Sequence, residues 1–195
     1  MTPDLSLLIH RCLFPALWSG WAFYWWLTSA NVKETARRES VLSRVGHIGP
    51  MLVAAAILWS PRSGVPALDA RFMPWAPWQF WAGASVTTGG LAFAVWARRH
   101  IGRNWSATVT LKQDHELVTS GPYAFVRHPI YTGLLMMFAG TALAVGEWRA
   151  AFAVAVAAAA FWLKLRREEA LMRSQFGEAY AQYASRVPAL IPFVG

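Results

Sequence analysis

The sequence has few charged residues and almost no cysteine, and both shortages restrict what the protein can be. Charged residues make up 14% of the 195 positions, well below the roughly 25% that is usual in soluble domains. Cys12 is the single cysteine, so the chain cannot form an internal disulfide or a cysteine-rich metal site. No glycine-rich phosphate loop, GxGxxG fingerprint or serine nucleophile elbow is present. The common nucleotide-binding and hydrolase motifs are therefore excluded as a basis for function.

Hydrophobic residues, in contrast, make up 56% of the chain, and there are 12 tryptophans. Such a composition is typical of a membrane protein, and the length leaves room for one domain, residues 1–195. The formal net charge of +8 is spread over short basic clusters between apolar runs, which fits membrane topology and not nucleic-acid binding. The sequence therefore predicts an all-α, integral membrane helical bundle.

Five apolar stretches are each near the length needed to cross about 30 Å of hydrocarbon, which predicts about five transmembrane helices. They cover residues 13–30, 45–60, 78–97, 130–146 and 148–165. Only Gly146 and Glu147 separate the last two stretches, so these should form a tight helical hairpin.

Lysine and arginine are distributed unevenly over the connections between these stretches. The segments 31–44, 98–128 and 164–195 together hold 14 of them, whereas the other segments hold 4. By the positive-inside rule, the basic segments face the cytosol. The connection between the third and fourth spans and the C-terminal helix then lie on one side, where they should form a cofactor pocket facing the cytosol.

The start of the fourth span carries the first candidate site. Pro129 should be the first helical residue, because proline suits that position and biases the preceding residue away from helix. The free N–H groups and the dipole of such a helix start favour an anion beside Arg127 and His128. The alternative is that both residues are ordinary flanking residues at the membrane interface.

The second candidate site lies where the fifth span leaves the membrane. Glu168 and Glu169 are acidic residues inside a basic cluster at the membrane boundary, which indicates function. The alternative is local pairing of Lys164 with Glu168, worth only about 0.2–0.5 kcal/mol. A metal site is not expected, because no cysteine and no i, i+4 histidine pair accompanies the histidines of these segments.

Several motifs in the second half of the chain recur together in one known family. They are His115-Glu116-Leu117-Val118 and Tyr123, then Arg127-His128-Pro129-Ile130-Tyr131, then Glu168-Glu169, Phe176-Gly177-Glu178-Ala179-Tyr180 and Ile191-Pro192-Phe193. In this order and spacing they resemble the isoprenylcysteine carboxyl methyltransferase family, which is similar to the phospholipid methyltransferases. The resemblance covers about residues 85–195, the expected methyltransferase core.

The resemblance implies a pocket for S-adenosylmethionine and a lipophilic small-molecule acceptor that enters from the membrane lipid through a lateral opening. The residues that it assigns to the cofactor are His115, Glu116, Leu117, Val118, Tyr123, His128, Pro129, Ile130, Tyr131 and Glu168. Lys164 stands where the family commonly has an arginine that is thought to meet the acceptor. The positive charge is kept, but the bidentate fork is lost, so we expect an acceptor with an anionic or thiolate end that need not be a prenylcysteine.

The chemistry implied is an in-line displacement, in which positioning and desolvation supply most of the catalysis. A carboxylate or thiolate acceptor needs no base, whereas a protonated amine would need one, and Glu169 and His115 are the candidates. Three alternatives stay open: phospholipid N-methylation, an NADPH-dependent reductase and a small membrane scaffold without catalysis.

Overall fold

The computed structural model describes residues 3–29, 41–102, 105 and 117–192. Apart from one isolated β-bridge between Arg71 and Glu147, the regular structure in these ranges is helical, which confirms the all-α prediction. The helices are α1 Pro3–Ser29, α2 Val41–Trp59, α3 Pro66–Asp69, α4 Pro77–Ile101, α5 Pro129–Val145 and α6 Trp148–Arg186, with a 3₁₀ turn at Gly121–Ala124. Each of the five apolar stretches falls largely within one long helix.

Two helices of the described ranges, α4 and α6, are long and apolar enough to cross a membrane. α6 has 39 residues, which at 1.5 Å per residue is about 58 Å, nearly twice the thickness of a bilayer core of about 30 Å. Its apolar first half is therefore about long enough to span by itself. At Gly177 (φ 51°) the second half is kinked.

α4 and α5 pack closely through glycines that face each other. A Cβ added to Gly90 would lie 2.5 Å from the carbonyl oxygen of Gly133, and one added to Gly133 would lie 2.6 Å from that of Gly90. Gly83 and Gly140 repeat this contact one heptad further along. Small residues allow helix backbones to approach in this way, and the contact fixes where the start of α5 lies beside the end of α4.

α5 begins and ends where the sequence predicts. Pro129 is its first residue, and the helix ends at Val145 before Gly146, which has a left-handed φ of 72°. Glycine adopts that conformation without a steric penalty. α6 then begins at Trp148, so the predicted tight hairpin is confirmed and the middle of α6 returns to the start of α5.

Candidate active site

Ionic side chains from α5 and α6 meet at the N-terminal end of α5. His128 precedes Pro129 and has non-helical backbone angles (φ −124°, ψ 61°), as expected of a residue before proline. Arg127 and His128 therefore lie just outside the helix and face Glu168 and Glu169 on α6. Two segments separated by about 40 residues thus build one site, which the sequence had marked as two.

Glu169 is the more firmly held of the two carboxylates. Arg127 donates from Nε to Glu169 Oε1 at 2.8 Å and brings Nη2 within 2.7 Å of the same oxygen. His128 Nε2 lies 3.3 Å from it. Burial raises the pKa of Glu169, but the hydrogen bonds and charges of His128 and Arg127 more than offset this and hold the pKa at about 2. Glu169 is therefore an anion at physiological pH and a weak base.

Glu168 has different partners and is more open to solvent. Its side chain is 21% exposed, against 12% for Glu169. The Tyr131 hydroxyl donates to Glu168 Oε1 at 2.6 Å, Lys164 Nζ lies 3.9 Å from the same oxygen, and His128 Nδ1 lies 3.6 Å from Oε2. The i, i+4 pairing of Lys164 with Glu168 is present, but it is one contact among three.

An aromatic stack leads from this ionic cluster into the core. The rings of His128 and Tyr131 lie 5.4 Å apart and nearly parallel, with 4° between their planes. Phe161 stacks on Tyr131 at 5.0 Å, and Lys164 Nζ lies 5.3 Å from the centre of the Tyr131 ring. A cation near an aromatic face is stabilised electrostatically, so Tyr131 contacts both Lys164 and Glu168.

The C-terminal segment covers the start of α5. The backbone N–H of Arg127 donates to Pro188 O at 2.8 Å, and that of His128 donates to Ala189 O at 3.0 Å. The first hydrogen bond within the helix is donated by the N–H of Thr132 to His128 O. The amide of Ile130 therefore comes before the helical ladder, at the position that an anion at this helix end would use.

The guanidinium of Arg127 is shared between Glu169 and this segment. Its Nη1 donates to Ala184 O at 3.1 Å and also to Val187 O. The sequence did not predict a role for these carbonyls of the C-terminal segment. Pro188, just after the end of α6, is the local feature that indicates the end of the helix and a change in chain direction.

The 3₁₀ turn places Tyr123 beside the cluster. Tyr123 is 7% exposed, and its backbone carbonyl accepts a hydrogen bond of 2.6 Å from the hydroxyl of Tyr183 on α6. Burial raises the pKa of Tyr123 well above its usual range, and Tyr183 and Glu168 add to the increase, so its hydroxyl stays protonated. Tyr123 and Ile130 belong to one buried hydrophobic cluster, and Val118 packs against it.

Most of the residues that the sequence predicts for the site thus lie together. His128, Tyr131, Lys164, Glu168 and Glu169 form one connected cluster. Leu117 and Val118 are half-buried, while Pro129 is buried under the cluster. His115 and Glu116 lie outside the described residues. No group of histidine, cysteine and carboxylate side chains that would suit a metal ion occurs in the described ranges.

The fold and the site define an all-helical protein with membrane-length helices and an ionic site at the start of α5. The sequence profile of the phospholipid methyltransferase family matches residues 78–179, which include α4, α5 and most of α6. Because this match covers more than half of the chain, the chain belongs to the phospholipid methyltransferase family.

Individual relatives agree with this assignment. Protein-S-isoprenylcysteine O-methyltransferase of Schizosaccharomyces pombe is 36% identical over 96 residues, or 48% of this chain and 41% of the relative. Protein-S-isoprenylcysteine O-methyltransferase B of Arabidopsis thaliana is 35% identical over 96 residues, or 48% of this chain and 49% of the relative. The chain therefore spans less than half the length of these curated relatives.

A solved structure is similar in fold. It is that of the eukaryotic intramembrane Ras methyltransferase ICMT (isoprenylcysteine carboxyl methyltransferase), with a TM-score of 0.52 and 25% sequence identity. The similarity covers 82% of this chain and 55% of that one. It extends beyond the second half of the chain, to which the motifs of the sequence are confined.

Proposed function

We propose that this protein is an integral membrane methyltransferase that uses S-adenosylmethionine and acts on a lipophilic or amphiphilic acceptor, as an isoprenylcysteine carboxyl methyltransferase does. The observation that carries the proposal is the position of Glu168, a partly exposed carboxylate beside the start of α5. A carboxylate and a helix N-terminus side by side suit the ammonium and the carboxylate of an amino-acid group. The methionyl part of the cofactor is such a group.

The residues present fit this cofactor. Glu168 would take the ammonium, and the amides that begin α5 would take the carboxylate. Tyr131, which is half-buried, offers aromatic surface for the adenine or the sulfonium. When bound, S-adenosylmethionine supplies a methyl group that is already activated. The chain itself then has to orient the two reactants and exclude water, for which a site between packed helices is suited.

Glu169 and Lys164 have separate roles in this proposal. Glu169 holds Arg127 and His128 in place, and with a pKa of about 2 it is a poor base for an amine. His115 is the remaining candidate for that step. Lys164 lies one helical turn before Glu168 and nearer the apolar half of α6, so we assign it to the anionic or thiolate end of the acceptor.

The binding experiment measures the affinity of the purified protein in detergent for radiolabelled S-adenosylmethionine. His128→Ala and Glu168→Gln should each weaken binding by about 1–3 kcal/mol, the cost of losing a hydrogen bond to a charged group. Glu178→Gln is the matched control, because Glu178 is an exposed carboxylate of the same helix. Wild-type protein that does not bind the cofactor would refute the proposal.

The proposed topology has about five spans, with the site facing the cytosol, and it follows from the distribution of lysine and arginine. Single cysteines at Gln113 and Ser174, introduced into a Cys12→Ser background, should react with a membrane-impermeant maleimide only after cells are opened. A cysteine at Ser63 should react in intact cells. If the cysteine at Gln113 reacts in intact cells, the predicted orientation is wrong and the site does not face the cytosol.

Phospholipid N-methylation is the second candidate, since the family whose profile matches this chain is described as phospholipid methyltransferase. Methyl transfer to a prenylcysteine, a lipophilic thiol and phosphatidylethanolamine should be compared for the wild type and Lys164→Ala. Our proposal expects Lys164→Ala to raise the KM for the anionic acceptors without changing the affinity for the cofactor. A strong preference for phosphatidylethanolamine that Lys164→Ala leaves unchanged would favour the second candidate.

A further inference from the structure

A buried arginine lies near the candidate site and has no counter-ion among the described residues. Arg98, in the last turn of α4, is 3% exposed. Its Nη2 donates to Thr28 O at 2.7 Å and its Nη1 to Gly102 O at 2.8 Å. Its Nε is buried without a hydrogen-bond acceptor, and no described carboxylate forms an ion pair with it. The guanidinium thus has one nitrogen, Nε, without an acceptor, and its charge has no described carboxylate to balance it.

A second buried donor lies at the other end of a row of tryptophans. Nε1 of Trp21 is also buried without an acceptor. The ring of Trp21 lies 5.3 Å from that of Trp25, which meets Trp105 edge to face at 6.4 Å. Arg98 lies 4.4 Å above the Trp105 ring. We call these three rings the indole wall; an unpaired donor lies at each end of it.

The indole wall adjoins the candidate active site. Its three rings pack against the buried cluster that contains Tyr123 and Phe161, and Phe161 stacks on Tyr131. Tyr123 is also close enough to both Arg98 and Glu168 for both charges to act on its hydroxyl. The wall and the ionic cluster are thus neighbouring parts of one region.

The surroundings of Arg98 favour an anion over a cation. A guanidinium taken out of water is costly unless it is paired and fully hydrogen-bonded. Helix-end carbonyls and an indole face compensate its charge in part, whereas a carboxylate or phosphate oxygen would do so fully. The Nε–H group of Arg98 also lacks an acceptor atom, and an ammonium group has none to offer.

We propose that Arg98 binds the oxyanionic headgroup of the acceptor and that the indole wall, which ends at Trp21, contacts its apolar chain. This inference rests on the proposed function, a methyltransferase with an amphiphilic acceptor, and it adds Arg98 as a second cation, besides Lys164, for the anionic end of that acceptor. The competing explanation is that Arg98 only fastens the end of α1 to the end of α4.

The experiment measures the binding of amphiphilic probes to the purified protein in detergent, without the cofactor. The probes are C15 prenyl thioethers that end in a carboxylate, a phosphate or an uncharged carboxamide. The wild type should bind the charged probes roughly 10- to 100-fold more tightly than the carboxamide, the range of a hydrogen bond to a charged group. The better of the two charged probes identifies the source of the oxyanion. Arg98→Gln should abolish this preference, and Arg99→Gln, which changes the exposed neighbouring arginine, should preserve it.

Two further variants separate binding from a purely structural role. Trp21→Phe replaces one ring of the indole wall by a smaller one and should weaken the binding of all three probes by roughly 2- to 10-fold, whereas Trp26→Phe, at an exposed tryptophan, should not. Arg98→Lys keeps the charge without the Nε donor, so it should retain part of the preference. If Arg98→Gln does not fold, Arg98→Lys is used in its place in the probe-binding experiment.

Either of two results would overturn the inference. The first is a wild type that binds the charged probes and the carboxamide equally. The second is an arginine variant that lowers the melting temperature and the affinity for all probes but leaves their ratio unchanged, which a merely structural role predicts. Binding of S-adenosylmethionine is measured separately, so a failure of the proposed function is recognised by its own assay.

Discussion

Replacing Glu168 or Glu169, the neighbouring carboxylates on α6, by glutamine should affect two different properties of the protein. Glu169→Gln removes the negative charge that Arg127 and His128 share at 2.7–3.3 Å. Glu168→Gln leaves that contact in place and alters a partly exposed group whose partners are Tyr131, Lys164 and, at 3.6 Å, His128. We therefore expect Glu169→Gln to affect the stability of the fold and Glu168→Gln to affect cofactor binding.

The expected loss of stability follows from burial. Removing one partner of a buried ion pair costs about 3–5 kcal/mol, because the other charge is left without compensation. Arg127 is 12% exposed and keeps its bonds to tail carbonyls, so the value for Glu169→Gln should lie at the lower end, about 3 kcal/mol. For a chain of this length, that corresponds to a fall in melting temperature of about 6–12 °C.

Thermal unfolding in detergent and binding of S-adenosylmethionine, measured on the same preparations, test this expectation. Glu168→Gln should change the free energy of unfolding by less than about 1 kcal/mol, close to the value for a surface substitution. Its affinity for the cofactor should nevertheless fall at least about tenfold. Equal destabilisation by both substitutions, or an unchanged melting temperature for Glu169→Gln, would refute the division of roles between the two carboxylates.

Three more predictions concern packing, pH and the 3₁₀ turn. Gly90→Ala should destabilise the protein by about 1–3 kcal/mol, because its Cβ would collide with the backbone of α5; Gly89→Ala, whose Cβ meets only a methionine methyl at 3.9 Å, should be neutral in the same unfolding assay. The stability that ionised Glu169 contributes is fully present above its ordinary pKa of 4.5 and should disappear as the pH falls through about 2; a Glu169→Gln variant that loses stability equally steeply in acid would contradict this. Tyr183→Phe removes the hydrogen bond to the carbonyl of Tyr123 and should cost about 1 kcal/mol and weaken cofactor binding; an unchanged affinity would show that the position of the turn does not matter for the site.

Local rules were sufficient for some parts of the site. The start of α5 at Pro129 follows from the geometry that proline imposes on itself and on His128, and the hairpin at Gly146 follows from the short connection. The five apolar stretches were recognisable as helices because each is long and continuous. Whether α1, α2 and α5 cross the bilayer stays a prediction; the labelling experiment tests on which side of the membrane the two connections that flank α4 and the second half of α6 lie.

The sequence by itself determined the helical class, the ends of α5 and the candidate residues, since composition, proline and charge act through each residue's own chemistry. Only the tertiary structure decided which of two adjacent glutamates is clamped. Neighbours on a helix point about 100° apart, so their partners come from whichever elements pack on each side. Glu169 meets Arg127 and Glu168 meets Tyr131 because the glycine contact of α4 with α5 and the hairpin fix α5 against α6. Contacts between such distant segments depend on the packing of whole helices, which no local pattern specifies.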